Sequence, residues 1–179
     1  LWVMSSEDIF HFDRVKNRLV KVPEPVPDST TSGSPLYAQM IEDHDGNLYL
    51  ATYRHGIYIF HRATSTWTQL FYQSSNPKGL ISNTVTGIAL DDYHHLWIGY
   101  KLHGVSRYDL STGKYTHFRN VKNDMQSLID DRVLCLIKDH HGQILVGTGS
   151  GLSYIDPSTH PPVINNFNHD GRFTGTPVF

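Results

Sequence analysis

The chain has 179 residues, a formal net charge of −2, 39% hydrophobic residues and 18% charged residues. That balance argues against disorder and leaves no field of one sign to attract nucleic acid or an anionic membrane. Aromatic residues reach 12%, which suits strands, and no apolar run approaches the roughly 18 residues of a membrane-spanning helix.

The chain opens on Leu1-Trp2-Val3, a strand-like run with no initiator Met and no signal peptide. The natural N-terminus and any targeting signal are therefore expected upstream. Ile9-Phe10-His11-Phe12 reads as the next strand. Further on, an Asp45-Gly46 hairpin turn precedes Leu48-Tyr49, and Gly56 precedes Ile57-Tyr58-Ile59-Phe60. The following unit is the clearest. Val85 to Leu90, Leu96 to Tyr100, Val105 to Asp109 and Tyr115 to Arg119 are short strands separated by polar turns. The last unit repeats the pattern through Val133-Leu134-Cys135-Leu136-Ile137, Ile144-Leu145 and Leu152-Ser153-Tyr154-Ile155. Cys135, the single cysteine, reads as a small buried hydrophobe that has no partner for an internal disulfide.

These units are one repeat. Trp2, Tyr49, Trp97 and Leu145 recur every 47 or 48 residues, as do Asp43, Asp91 and Asp139, and Gly56, Gly104 and Gly151. A lone four-stranded sheet cannot bury both faces, whereas sheets stacked around an axis can. The expected fold is all-β: a β-propeller fragment of four-stranded antiparallel blades, about 3.75 of them. The blades are placed near 1–22 (incomplete), 36–72, 84–120 and 132–168, in a single unit over 1–179. Residues 169–179 are expected to start the next blade or to supply a closing strand. Leu48, Leu96 and Ile144 should face one interblade space, and Tyr49, Trp97 and Leu145 the other. The aspartates should accept backbone N–H bonds in the turns, with His94 at positive φ in place of Gly46 and Gly142. An open arc of blades exposes an apolar face and so implies self-association, one outcome being two arcs paired in a ring of about eight blades.

Of the 12 histidines, most stand in equivalent turns of separate sheets, so no metal site is expected. Gly147-Thr148-Gly149-Ser150-Gly151 leads into a strand rather than a helix and lacks phosphate-loop spacing. No cofactor is expected, and no pair of acids is placed to converge. The loops between second and third strands share one face with the interblade loops. They place Tyr53, Arg54, His55, Tyr100, Lys101 and His103 as candidate ligand-binding residues. Ser150 and the segments Tyr72-Gln73-Ser74-Ser75-Asn76 and Asn123-Asp124-Met125-Gln126 lie on the same face. Aromatic rings stack on sugar faces, polar side chains bond hydroxyls, and Arg54 and Lys101 favour an acidic oligosaccharide.

The run Leu80-Ile81-Ser82-Asn83-Thr84-Val85-Thr86-Gly87-Ile88-Ala89-Leu90-Asp91-Asp92, with Leu96-Trp97-Ile98-Gly99-Tyr100 and Gly104-Val105-Ser106-Arg107-Tyr108-Asp109, resembles the two-component regulator propeller repeat. The other units match it more loosely: Trp holds the key position only at Trp2 and Trp97, and His55, His103 and Ser150 replace the first glycine of the doublet. The resemblance implies a periplasmic sensor of a hybrid two-component histidine kinase anchored in the inner membrane, mainly from gut Bacteroidetes. Such sensors detect oligosaccharides. It also implies that this segment binds and transmits rather than catalyses, touches neither nucleic acid nor membrane, and contacts the rest of the sensor propeller and a homodimer partner. Two readings stand beside it: a propeller enzyme acting on polysaccharide or a small cyclic molecule, and a propeller that only binds protein.

Overall fold

The computed structural model describes residues 1–5, 8–23, 25 and 35–168. The described strands form four antiparallel sheets. The first blade has three strands, β1 (Trp2–Met4), β2 (Ile9–Asp13) and β3 (Arg18–Lys21). The second has β4 (Tyr37–Glu42), β5 (Leu48–Thr52), β6 (Ile57–His61) and β7 (Thr66–Leu70). The third has β8 (Val85–Leu90), β9 (His95–Tyr100), β10 (Val105–Asp109) and β11 (Tyr115–Phe118). The fourth has β12 (Val133–Lys138), β13 (Ile144–Thr148), β14 (Gly151–Asp156) and β15 (Val163–Asn168). In every sheet consecutive strands pair, so each blade is a meander. The β8 strand packs against both β4 and β12, and the three form the inner wall. The expected strand at 169–179 lies outside the described residues.

The turns form because one carboxylate replaces the missing ladder partner. Asp91 Oδ1 accepts the N–H of Tyr93 and of His95 at 2.8 and 2.9 Å. Asp43 and Asp139 do the same for Asp45 and Asn47, and for His141 and Gln143. The turn needs one residue at positive φ: Gly46 at 79°, His94 at 62° and Gly142 at 84°. The second oxygen of Asp91 accepts the Trp97 indole N–H at 2.8 Å, which ties turn to core. Asp43 takes the Tyr49 hydroxyl in the same way at 3.1 Å.

Alternation along each strand sends side chains into two seams. Leu96, Ile98 and Tyr100 pack toward the second blade with Tyr49, Ala51 and Ile57. Trp97 points the other way and packs with Ile144, Val146 and Ile155 of the fourth blade. Leu50 and Tyr58 close the seam with Ile9 of the first blade. Polar links cross the seams as well. Gln39 Oε1 accepts the Ile88 N–H at 2.8 Å. The Thr86 hydroxyl lies 3.2 Å from the Gly99 carbonyl and 3.1 Å from that of Val133, so one proton is shared between two blades. Thr86→Val is expected to lower unfolding free energy by about 1 kcal/mol, the cost of two under-satisfied carbonyls. Urea titration checks this, and Thr86→Ser should restore most of the loss.

Two expectations are corrected. Cys135 is exposed rather than buried, because it lies on the side of β12 that faces away from the third blade. Leu145 shares that outer side and is only partly buried, although its counterpart Trp97 is 0% exposed. Their neighbour Ile137 is 58% exposed. At the other end of the arc Leu1, Val3 and Leu19 of the first blade are exposed too.

Candidate functional site

Two mouths open along the inner wall. The lower one is a cleft of about 460 Å³ between the Asp43 and Asp91 turns, and its lining reaches Ile137 and Lys138. Its acids are mostly engaged. Asp43 and Asp91 hold their own turns, and Asp92 pairs with Lys138 at 2.6 Å. Glu42 accepts the Trp2 indole N–H at 3.1 Å. These groups serve the fold, which leaves the upper mouth as the better candidate.

The upper cleft has a volume of about 580 Å³ and is lined by Leu36, Tyr53, Arg54, Thr84, Thr86, Lys101, Val133 and Leu134. Its construction repeats from blade to blade. The backbone N–H that ends the second strand bonds the carbonyl just before the inner strand: Tyr53 to Leu36 at 3.0 Å, Lys101 to Thr84 at 3.4 Å, Gly149 to Arg132 at 3.0 Å. The loops bearing Tyr53, Arg54 and Lys101 are thereby pinned beside the inner strands. Each inner strand carries a register shift near its start, between Tyr37 and Gln39, Val85 and Gly87, and Val133 and Cys135. Such a bulge turns one side chain out of the ladder. In the third and fourth blades that residue is Thr86 or Leu134, and both line the cleft.

Three of the six candidate residues therefore meet here: Tyr53, Arg54 and Lys101. The other three do not. Tyr100 is 0% exposed because it ends β9 inside the seam rather than standing in the loop, and burial pushes its hydroxyl pKa up. His55 is 1% exposed, with its ring 6.5 Å from Tyr58, because its N–H caps Thr52 Oγ1 at 2.8 Å and turns it inward. His103 is partly buried and lies outside the cleft lining. The interblade segment divides likewise: Asn123, Asp124 and Met125 line a separate groove of about 300 Å³ with Leu128 and Asn166. Ser150 donates to Asp130 at 2.9 Å.

Tyr53, Arg54 and Lys101 are all exposed. None of the ion pairs among the described residues uses Arg54 or Lys101. Among the described residues, the lining contains neither a carboxylate nor an imidazole. The cleft is thus a positively charged concavity with one aromatic face, hydroxyls from Thr84 and Thr86, and an apolar edge at Leu36 and Leu134. Among the described residues, no group of three or more His, Cys, Asp or Glu could hold a metal ion. Sequence reasoning missed Leu36, Thr84, Thr86, Val133 and Leu134. Their one signal is position, at or just before the start of each inner strand, where a propeller brings neighbouring chains together.

No protein-family model matches the chain, and no curated protein sequence is similar to it. Solved structures are. The extracellular domain of a hybrid two-component system from Bacteroides thetaiotaomicron aligns with a TM-score of 0.68 and 19% identity, over 96% of this chain and 27% of its own. Virginiamycin B lyase from Staphylococcus aureus aligns with a TM-score of 0.62 and 14% identity, over 91% of this chain and 49% of its own. An auxiliary nutrient binding protein from Bacteroides ovatus gives 0.61 and 14%, over 96% and 42%. The chain spans between about a quarter and about a half of these proteins. At such identities the likeness establishes the fold, a β-propeller arc.

Proposed function

We propose that the chain is part of the periplasmic ligand-sensing propeller of a hybrid two-component histidine kinase, and that its upper cleft binds an acidic oligosaccharide without transforming it. The observation that carries this reading is the pair of unpaired cations, Arg54 and Lys101, set beside the Tyr53 ring in one concavity. A sugar ring presents C–H groups that suit the negative face of an aromatic ring, and a carboxylate or sulfate accepts from guanidinium and ammonium. The propeller fold that the chain has in common with a two-component extracellular domain and a nutrient binding protein supports the sensing role. The lyase likeness is the ground for an enzyme reading. The described lining, with neither carboxylate nor imidazole, gives such an enzyme little acid–base chemistry to use. On the sensing reading the parent protein is anchored in the inner membrane. Further blades, or a second copy, cover the apolar outer sides of the first and fourth blades.

Thermal shift and calorimetric titration with oligogalacturonate, a sulfated disaccharide and a neutral malto-oligosaccharide test the assignment. The acidic ligands are expected to raise the melting temperature and the neutral one to leave it unchanged. Arg54→Gln and Lys101→Gln should each weaken binding roughly tenfold, the worth of one charge-assisted hydrogen bond. Absence of any shift with acidic glycans, or consumption of the ligand seen by mass spectrometry, overturns it.

A further inference from the structure

The three interblade seams are internal controls for one another. At the outer lower corner of each seam the third and fourth strands present a cross-strand pair: Phe60 with Trp67, Tyr108 with Tyr115, and Ile155 with Ile164. Two residues after the first member of each pair comes a covering position. In the third blade it is Leu110, packed on the buried cluster. In the fourth it is Pro157, which is buried. In the second it is Arg62, which is exposed and lies against the Gly46 turn. A guanidinium therefore stands where the sister seams carry an apolar plug.

Beneath it is a cleft of about 480 Å³ whose lining includes Trp2, His11, Phe60, Arg62, Ser65 and Trp67. The rings form a connected wall. Trp2 lies 4.8 Å from His11 and 6.4 Å from Phe60, and Phe60 lies 4.9 Å from Trp67. Both indole N–H groups are engaged, Trp2 with Glu42 and Trp67 with the Pro23 carbonyl, each at 3.1 Å. Their polar edges are satisfied, so what they offer the cleft is ring surface. Lys21 is held by Asp8 at 2.6 Å, whereas no ion pair among the described residues uses Arg62. Among the described residues, no carboxylate belongs to the lining.

We propose that this seam between the first and second blades is a second binding site, for an anionic pyranose such as a uronic acid. Its C–H face lies on the Trp2–Phe60–Trp67 wall and its carboxylate is held by Arg62. The choice of a sugar rests on the oligosaccharide reading of the upper cleft. The site itself rests on the seam comparison.

The test uses the 179-residue chain, titrated with trigalacturonate and followed by the indole N–H signals in two-dimensional NMR, assigned by single Trp→Phe variants. The Trp2 and Trp67 signals are expected to shift and that of Trp97, buried in the next seam but one, to stay. Arg62→Leu, which installs the residue of the sister seam, should fold at least as well and bind at least tenfold more weakly at this site. Lys101→Gln should leave the two indole shifts intact. If they persist in Lys101→Gln and vanish in Arg62→Leu, the second site stands whatever happens at the upper cleft. If trigalacturonate binds but moves neither indole, or if Arg62→Leu binds unchanged, the second site falls while the upper one survives. If trigalacturonate binds nowhere, both readings fall together.

Discussion

Trp97→Ala is expected to remove about 4 kcal/mol of stability, within the range for deleting a large buried aromatic side chain. The side chain is 0% exposed and fills the seam between the third and fourth blades. It stacks on Phe118 at 5.4 Å, and the Arg107 guanidinium stands 5.9 Å from its ring. Its N–H is one of the bonds that satisfy Asp91, whose carboxyl side chain is itself fully buried. Truncation thus opens a cavity and strips a charge-assisted bond from a buried anion, and the two costs add. Domains of this size are stable by about 5–15 kcal/mol, so the variant should show a large drop in urea midpoint. Trp97→Phe separates the terms: it keeps most of the packing and should lose only about 2 kcal/mol, the bond to Asp91. Leu145→Ala, at the equivalent position on the outer side of the fourth blade, should cost under about 1 kcal/mol because its side chain is already partly solvated. Equal losses at Trp97 and Leu145 would show that the seam is not what holds the blades.

That contrast also marks what a repeat can and cannot say. The recurrence of Trp2, Tyr49, Trp97 and Leu145 specified strand order, seam faces and turn geometry, because each follows from local alternation and from one Asp that can bond its own turn. It did not specify which faces have a neighbour. Cys135 and Leu145 look like core residues by pattern and lie on an outer side in fact. The same gap explains the site. Arg54 and Lys101 were legible because a cation in a short loop has nowhere to go but solvent. Tyr100 is the last residue of β9 and so faces the seam, while His55 stands in its loop but is turned inward by the bond from its N–H to Thr52 Oγ1. Thr86 and Leu134 were invisible because a bulge breaks the alternation from which facing is read. Arg62 was legible only afterwards, since its meaning lies in the difference from Leu110 and Pro157. Where a repeat protein departs from its own pattern, the departure is the candidate for function, because the fold alone does not demand it.

Gly104→Ala is the second large effect and the one that joins stability to the upper cleft. Gly104 has φ of 67°, the left-handed region, which costs a residue bearing a Cβ about 1–2 kcal/mol. A Cβ there would also collide with the Phe118 carbonyl oxygen, which belongs to the β10–β11 ladder and can move only by breaking it. The expected loss is therefore about 3 kcal/mol or more, the sum of strain and clash. The backbone N–H of Gly104 bonds the Asp131 carbonyl at 2.8 Å, and its carbonyl accepts from Tyr100 at 3.0 Å. Displacing it therefore loosens both the entry to the fourth blade and the loop that carries Lys101. A variant rescued by low temperature should accordingly bind acidic oligosaccharide more weakly than wild type, although Gly104 is outside the cleft lining. Binding at the Trp2–Trp67 seam should be unaffected, since that seam lies between other blades. Full stability in Gly104→Ala, measured by urea titration, would mean that the loop takes a different path from the one described.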